Sequence, residues 1–212
     1  MKTLASTSTP TAFSSATFAP AAAAAALCMA GFAHAATPAA AQHVGTAPVT
    51  AMGTTITAEQ VLAAQKAWGE ALVAISAEYE KGGQAAAKTL AAKVIDGAYG
   101  YQMGPVLFKP TLTTAPQTFR TTRDGALAYF VGGDKNFPAD TGFALKGWRS
   151  VEIKNAALFI SGDTATTMGN VSIKNKDGQV TTVDKTWKFQ RDAQGALRIV
   201  AHHSSLPFTA AN

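Results

Sequence analysis

Cysteine is nearly absent from this chain of 212 residues, with Cys28 its single representative. One thiol excludes an internal disulfide and any zinc site built on paired cysteines. Histidine is also scarce: there are four, and two of them stand side by side at 202 and 203. Charged residues amount to 15%, and the net charge of +5 is not gathered into a dense Lys/Arg cluster, so nothing points to nucleic-acid binding. Several catalytic spacings are missing as well. There is no H-x-H, no H-E-x-x-H, no paired-carboxylate spacing and no G-x-S-x-G elbow. The stretch "GGDKNFPADTG" has the glycines of a phosphate loop without its lysine and serine order, which argues against a nucleotide.

The first 35 residues carry almost no charge. Lys2 is the only charged residue before the apolar run "APAAAAAALCMAGFA", and "AHAA" at 33–36 puts small residues where a signal peptidase reads. An export signal over residues 1–35, cleaved after Ala35, is the expectation, with the periplasm as destination and the extracellular medium as alternative. The apolar run is about 15 residues, short of the roughly 20 that span a bilayer. Cleavage would remove Cys28, His34 and Lys2, leaving a net charge of +4 and no membrane-spanning segment. Residues 36–55, with His43, read as a flexible low-complexity lead; residues 56–208 as one domain; residues 209–212 as a tail.

Within the domain, the first pattern is helical. Thr57 and Gln60 have capping-box spacing, and Val61, Ala64, Trp68, Leu72, Ile75 and Tyr79 recur every three or four residues until Gly82 and Gly83. A second helix is predicted in "QAAAKTLAAKVIDGAYG", with Leu90, Val94 and Ile95 inward. "GPVLFKPT" reads as a brief strand bounded by prolines. Thr121, three residues before Asp124, is a candidate cap for a short helix carrying Ala126, Leu127, Phe130 and Val131 and ended by Gly132 and Gly133.

Beyond residue 147 the period falls to two. "WRSVEIKNAALFI", "TATTMGNVSIKN", "QVTTVDKTWKFQRD" and "ALRIVAHHSSL" are four strand-like runs separated by the turn sequences "SGD", "KDG" and "DAQG". The expected fold class is therefore α+β, with N-terminal helices covering one face of a strongly curved antiparallel sheet that leaves a pocket at its open end. Alternation on the last strand puts His202 on one face with Val200 and Ser204, and His203 on the other with Ala201 and Ser205. The two histidines then cannot share one metal, and no protein-ligated metal is expected. Trp148, Trp187 and Phe189 read as packing or interface residues.

The segments "GPVLFKPTL", "ALAYFVGGDKNFPADTGFALKGW", "MGNVSI" and "LRIVAHHSSLP" together resemble the iota-class carbonic anhydrases, a bacterial and algal family related to the association domain of calcium/calmodulin-dependent protein kinase II. The resemblance runs from about residue 57 to residue 208. It implies a cone of the nuclear transport factor 2-like type, a homodimer, and reversible hydration of carbon dioxide to bicarbonate. Relatives are described with manganese, with zinc and with no metal. Some have a third histidine where this chain has Ala201, so a metal site in that run is not expected here. Carried over by motif, the catalytic residues are Thr111 of "FKPT", Tyr129 of "AYFVGG", and His202 and Ser204 of "HHSS".

The reaction needs a dry pocket for apolar carbon dioxide and a water held for attack. Hydroxyl groups can orient that water and donate to the charge developing on carbon dioxide. His202, with an ordinary pKa near 6.5, would accept the proton or orient a hydroxyl. Asn170 and Lys109 are further candidates for binding bicarbonate; an Asn on a curved sheet equally satisfies backbone groups, and Lys109 equally belongs to the surface. Two rival readings follow from the same fold: an isomerase or cyclase of the SnoaL type acting on an apolar small molecule, and a non-catalytic oligomerisation module.

Overall fold

The structure is a computed structural model that describes residues 55–210. The expected signal, nearly all of the lead and the end of the tail lie outside the described residues.

Helix α1 (Ala58–Ala98) opens with the predicted capping box: Thr57 Oγ1 accepts from the Gln60 backbone N–H, and the Thr57 N–H donates to the Gln60 side chain. Gly83 leaves helical geometry at φ 71°, ψ −169°, and breaks α1 into two arms, as the paired glycines predict. The first arm buries Val61, Gln65, Trp68, Leu72 and Ile75; the second buries Ala87, Ala91 and Ile95. Full burial of a Leu or Ile contributes about 1.5–3 kcal/mol. Tyr79 departs from expectation and stays 38% exposed, in the last turn before the break at Gly83. Gln65, a polar residue on the apolar face, is satisfied by Asn155 and Thr167 of the sheet.

Helix α2 (Arg123–Val131) starts one residue later than predicted. Thr122, not Thr121, is the cap, with its hydroxyl accepting from the Gly125 N–H at 3.2 Å. At the other end Gly132 takes φ 64°, and a Cβ there would press on backbone atoms of Asp140 and Thr141. A short 3₁₀ turn, Phe143–Leu145, follows.

Among the described residues five strands form one sheet in the order β1-β5-β4-β3-β2: β1 (Leu107–Lys109), β2 (Trp148–Ser161), β3 (Thr164–Asn175), β4 (Val180–Arg191) and β5 (Leu197–Ser205). Strands β2 to β5 make the predicted antiparallel meander. The sheet is nevertheless mixed, not purely antiparallel, because β1 pairs parallel with β5. A parallel neighbour needs a long crossover, and the chain from β1 to β5 supplies it with α2 and three strands.

Register shifts on β2 and β5 bend the sheet. On β2 the register shifts between Asn155 and Ala157, and the opposing backbone comes so close that a Cβ on Gly169 would sit 2.1 Å from the Lys154 carbonyl oxygen. On β5 the register steps from Lys188↔Ala201 to Phe189↔Ile199, so Val200 bulges. This corrects the simple alternation. His202 and Ser204 share the buried face with Ile199, while Val200 is displaced from it.

The loops after β1 and α2 are joined by one buried ion pair. Arg120 donates from Nε and Nη2 to both oxygens of Asp140 at 2.8 and 2.7 Å, and from Nη1 to the carbonyls of Gln117 and Phe119. Asp140→Ala, which leaves a buried guanidinium unpaired, is expected to cost about 3–5 kcal/mol in urea unfolding, whereas the double variant Arg120→Met/Asp140→Leu recovers much of that loss.

Candidate active site

Pairing of β1 beside β5 sets Phe108 opposite His202 and Lys109 opposite His203. Continuing past β1 through Pro110, the chain delivers Thr111 to Ser204, with 2.6 Å between the two hydroxyl oxygens. Helix α2 supplies Tyr129, whose ring stacks on Phe143 at 5.4 Å and meets Phe108 edge-on at 5.7 Å. The Tyr129 oxygen accepts from the Leu112 N–H at 3.5 Å, and the Thr111 side chain is a second hydrogen-bond partner of this hydroxyl. Burial pushes the pKa of this hydroxyl well above that of a free tyrosine.

Thr111, Tyr129, His202 and Ser204 line one cavity of about 10 Å³, the room that a single water requires. Its apolar walls are Trp68, Phe108, Phe130 and Phe143. A fifth polar group, Lys185 of β4, completes the lining.

His202 is 2% exposed and both its ring nitrogens are engaged. Nδ1 lies 2.9 Å from the Tyr99 hydroxyl, and Nε2 lies 3.1 Å from Lys185 Nζ. Tyr99 in turn accepts from Trp68 Nε1 at 3.0 Å. Burial, followed by the positive charges of Lys185 and His203, drives the His202 pKa well below 6.5. Tyr99 follows directly on α1, and its backbone bridges to Ile199 of β5, which aims the ring at His202.

The remaining sequence candidates stand elsewhere. Asn170 is exposed and donates to Asp184, on the face of the sheet opposite the cavity. Lys109 donates to the Ser204 carbonyl at 3.1 Å, bracing β5 from outside the lining. Trp148, Trp187 and Phe189 are core residues. His203 is exposed, so the adjacent histidines do diverge.

Sequence reading passed over Lys185, Tyr99 and the cavity-facing role of Trp68. The signal for Lys185 was available in "VDKTWKF": on a strand where Val183, Trp187 and Phe189 point inward, alternation points Lys185 inward too. Tyr99 carried no such mark, since it lies at a helix end. Among the described residues no three His, Cys, Asp or Glu side chains cluster as metal ligands.

Known proteins share this chain's sequence and fold. Residues 59–206 match the family of metal-independent carbonic anhydrases. A metal-independent carbonic anhydrase from the cyanobacterium Nostoc sp. PCC 7120 is 71% identical over 153 residues, which are 72% of this chain and 75% of the relative. The crystal structure of an iota-carbonic anhydrase from a cyanobacterium, complexed with bicarbonate, is 69% identical and covers 74% of this chain and 96% of its own, with a TM-score of 0.74. A nuclear transport factor 2-like protein from Salmonella enterica lies far more distant, at 15% identity and a TM-score of 0.35 over 71% of this chain and 96% of its own. The chain thus belongs to the metal-independent (iota-class) carbonic anhydrases, enzymes that interconvert carbon dioxide and bicarbonate.

Proposed function

We propose that the cavity between Thr111, Tyr129 and Ser204 seats the attacking water while carbon dioxide meets it at the cavity's open side, and that these hydroxyls do the positioning that a metal performs in other carbonic anhydrases. The observation that carries this reading is the 2.6 Å contact of Thr111 with Ser204 on the wall of a water-sized, aromatic-lined cavity. Each hydroxyl can give one hydrogen bond and accept others, so the pair holds a water by accepting its hydrogens while keeping a donor for substrate. Tyr129 stays protonated at neutral pH and donates to the oxygen on which negative charge develops. Bicarbonate, the ligand named with the cyanobacterial structure, is the product these donors would hold.

His202 is assigned an orienting role. With Nδ1 turned to Tyr99 and Nε2 to Lys185, it has no free nitrogen for the attacking water, and its lowered pKa keeps it neutral. It fixes the β5 backbone that presents Ser204 two residues on.

The expected export and self-association belong to this reading as well. Cleavage after Ala35 is supported by the small residues at 33–36. A homodimer is supported by Phe159 and Met168, which share the outer face of the sheet and are 71% and 60% exposed.

Three measurements test these assignments. In stopped-flow assays of carbon dioxide hydration, Thr111→Ala and Ser204→Ala should each lower kcat by about 10²–10³-fold, the scale for losing one preorganised donor, while exhaustive chelation leaves the wild type unchanged. Stability should fall as pH drops through 6.5: the unfolded chain then protonates a histidine that the folded protein keeps neutral, and His202→Gln should reduce that loss in urea titrations at pH values on either side. Protein recovered from the periplasm of an expressing bacterium should begin at Ala36 by intact mass and show twice the chain mass by light scattering; a chain retaining Met1, or a monomer, removes the corresponding assignment.

A further inference from the structure

Lys185 is buried, 5% exposed, in the wall of the cavity that holds Thr111, Tyr129 and Ser204. Among the described residues no carboxylate forms an ion pair with it. Asp184, its neighbour in sequence, sits on the other face of β4 and bonds to Asn170. The titratable groups around Lys185 are His202 from β5 at 3.1 Å, Tyr99 behind it at the end of α1, and Tyr129 across the cavity from α2. A buried, unpaired ammonium is costly, and lysines in such places commonly serve as bases.

Counting hydrogens along the chain Trp68, Tyr99, His202, Lys185 distinguishes its two states. Trp68 can only donate, so Tyr99 accepts from it and has one hydrogen to place. If that hydrogen goes to His202 Nδ1, the neutral ring carries its own hydrogen on Nε2, and this points at Lys185 Nζ. Every group is then satisfied only if Lys185 is an uncharged amine with a lone pair. If Lys185 is instead an ammonium donating to Nε2, His202 must donate from Nδ1 to Tyr99, and the Tyr99 hydrogen has no acceptor in this chain of contacts. The ammonium has a separate stabilisation. Nζ lies 4.2 Å from the centre of a Trp68 ring and 5.1 Å from that of Trp187, within range of cation–π attraction. Both states are therefore accommodated, and burial brings the Lys185 pKa down to about 7.

We infer that Lys185 is the catalytic base: its neutral amine takes the proton from water as the water oxygen attacks carbon dioxide. The step balances without a co-reactant. The new C–O bond forms, one C=O π pair moves onto oxygen, one water O–H bond breaks, and the products are bicarbonate and the Lys185 ammonium. Lys185 gives up its hydrogen bond from Nε2–H to do so, and the ammonium is held between the indole faces and the bicarbonate until both anion and proton leave. In reverse, the ammonium returns the proton. This assignment rests on the cavity being the hydration site and replaces His202 as proton acceptor.

The test is stopped-flow hydration and dehydration as a function of pH for the wild type, Lys185→Met, Lys185→Arg and Thr111→Ala. The wild-type hydration kcat should rise through a pH of about 7 and dehydration should fall through it. Lys185→Met and Lys185→Arg should lose about 10²–10⁴-fold in hydration, together with that inflection. A folded Lys185→Met or Lys185→Arg within threefold of wild type, or a wild-type profile flat across that pH, overturns the base assignment. Activity lost in Thr111→Ala but kept in the lysine variants sinks the base alone; activity kept in all three sinks the site itself.

Discussion

Phe108 lies opposite His202, and Lys109 opposite His203, because three residues of β1 run parallel to the last strand. So short a pairing would not persist alone. It is held from one side by Lys109 reaching the Ser204 carbonyl and from the other by Arg120, whose N–H bonds the Phe108 carbonyl and whose guanidinium grips Asp140. The contact between the Thr111 and Ser204 hydroxyls depends on this pairing. Thr111 and Ser204 are 93 residues apart in sequence, and only β1 beside β5 puts their oxygens 2.6 Å apart.

Carbon dioxide chemistry asks for a cavity that is dry yet polar at one wall, and those demands conflict, since a buried polar group without a partner is costly; among the described residues the Trp187 indole N–H is left without one. The fold resolves the conflict by spacing polar groups along a line through aromatic rings. Trp68, Tyr99, His202 and Lys185 satisfy one another in sequence, while Phe108 stacks on His202 at 4.5 Å and Trp68 meets it edge-on at 5.6 Å. Low local dielectric strengthens these bonds and also makes charging any member expensive. His202 stays neutral for that reason, and Lys185 is drawn down to where it titrates near neutral pH. A metal achieves the same poise with its charge; here burial does so by withholding solvent.

The irregularities of the sheet serve the same site. The bulge at Val200 resets the alternation of β5, so that Ile199 packs in the core while His202 and Ser204 face the cavity. Gly169 allows the β2 bulge, where Asn155 meets Gln65 and anchors the first arm of α1 one turn from Trp68. Bending of the sheet and placement of the helix are thus settled by the same few residues.

Local chemistry in the sequence determined the elements: the capping box at Thr57 and Gln60, the break at Gly83, and the period-two strands separated by turns. These follow from nearest-neighbour sterics and hydrogen bonding, which act over a few residues and leave a local mark. Alternation also separated His202 from His203, and resemblance named Thr111, Tyr129 and Ser204, which the structure gathers around one cavity. Tertiary structure decided what no local pattern encodes. The parallel partner of β1, the one-residue bulge at Val200, the ring of Tyr99 against His202 and the exposure of Asn170 all depend on contacts between distant segments. Lys185 falls between these cases: its inward direction could be read from the strand period, but that it lies against a histidine with no carboxylate to pair it was settled only when β4 packed beside β5.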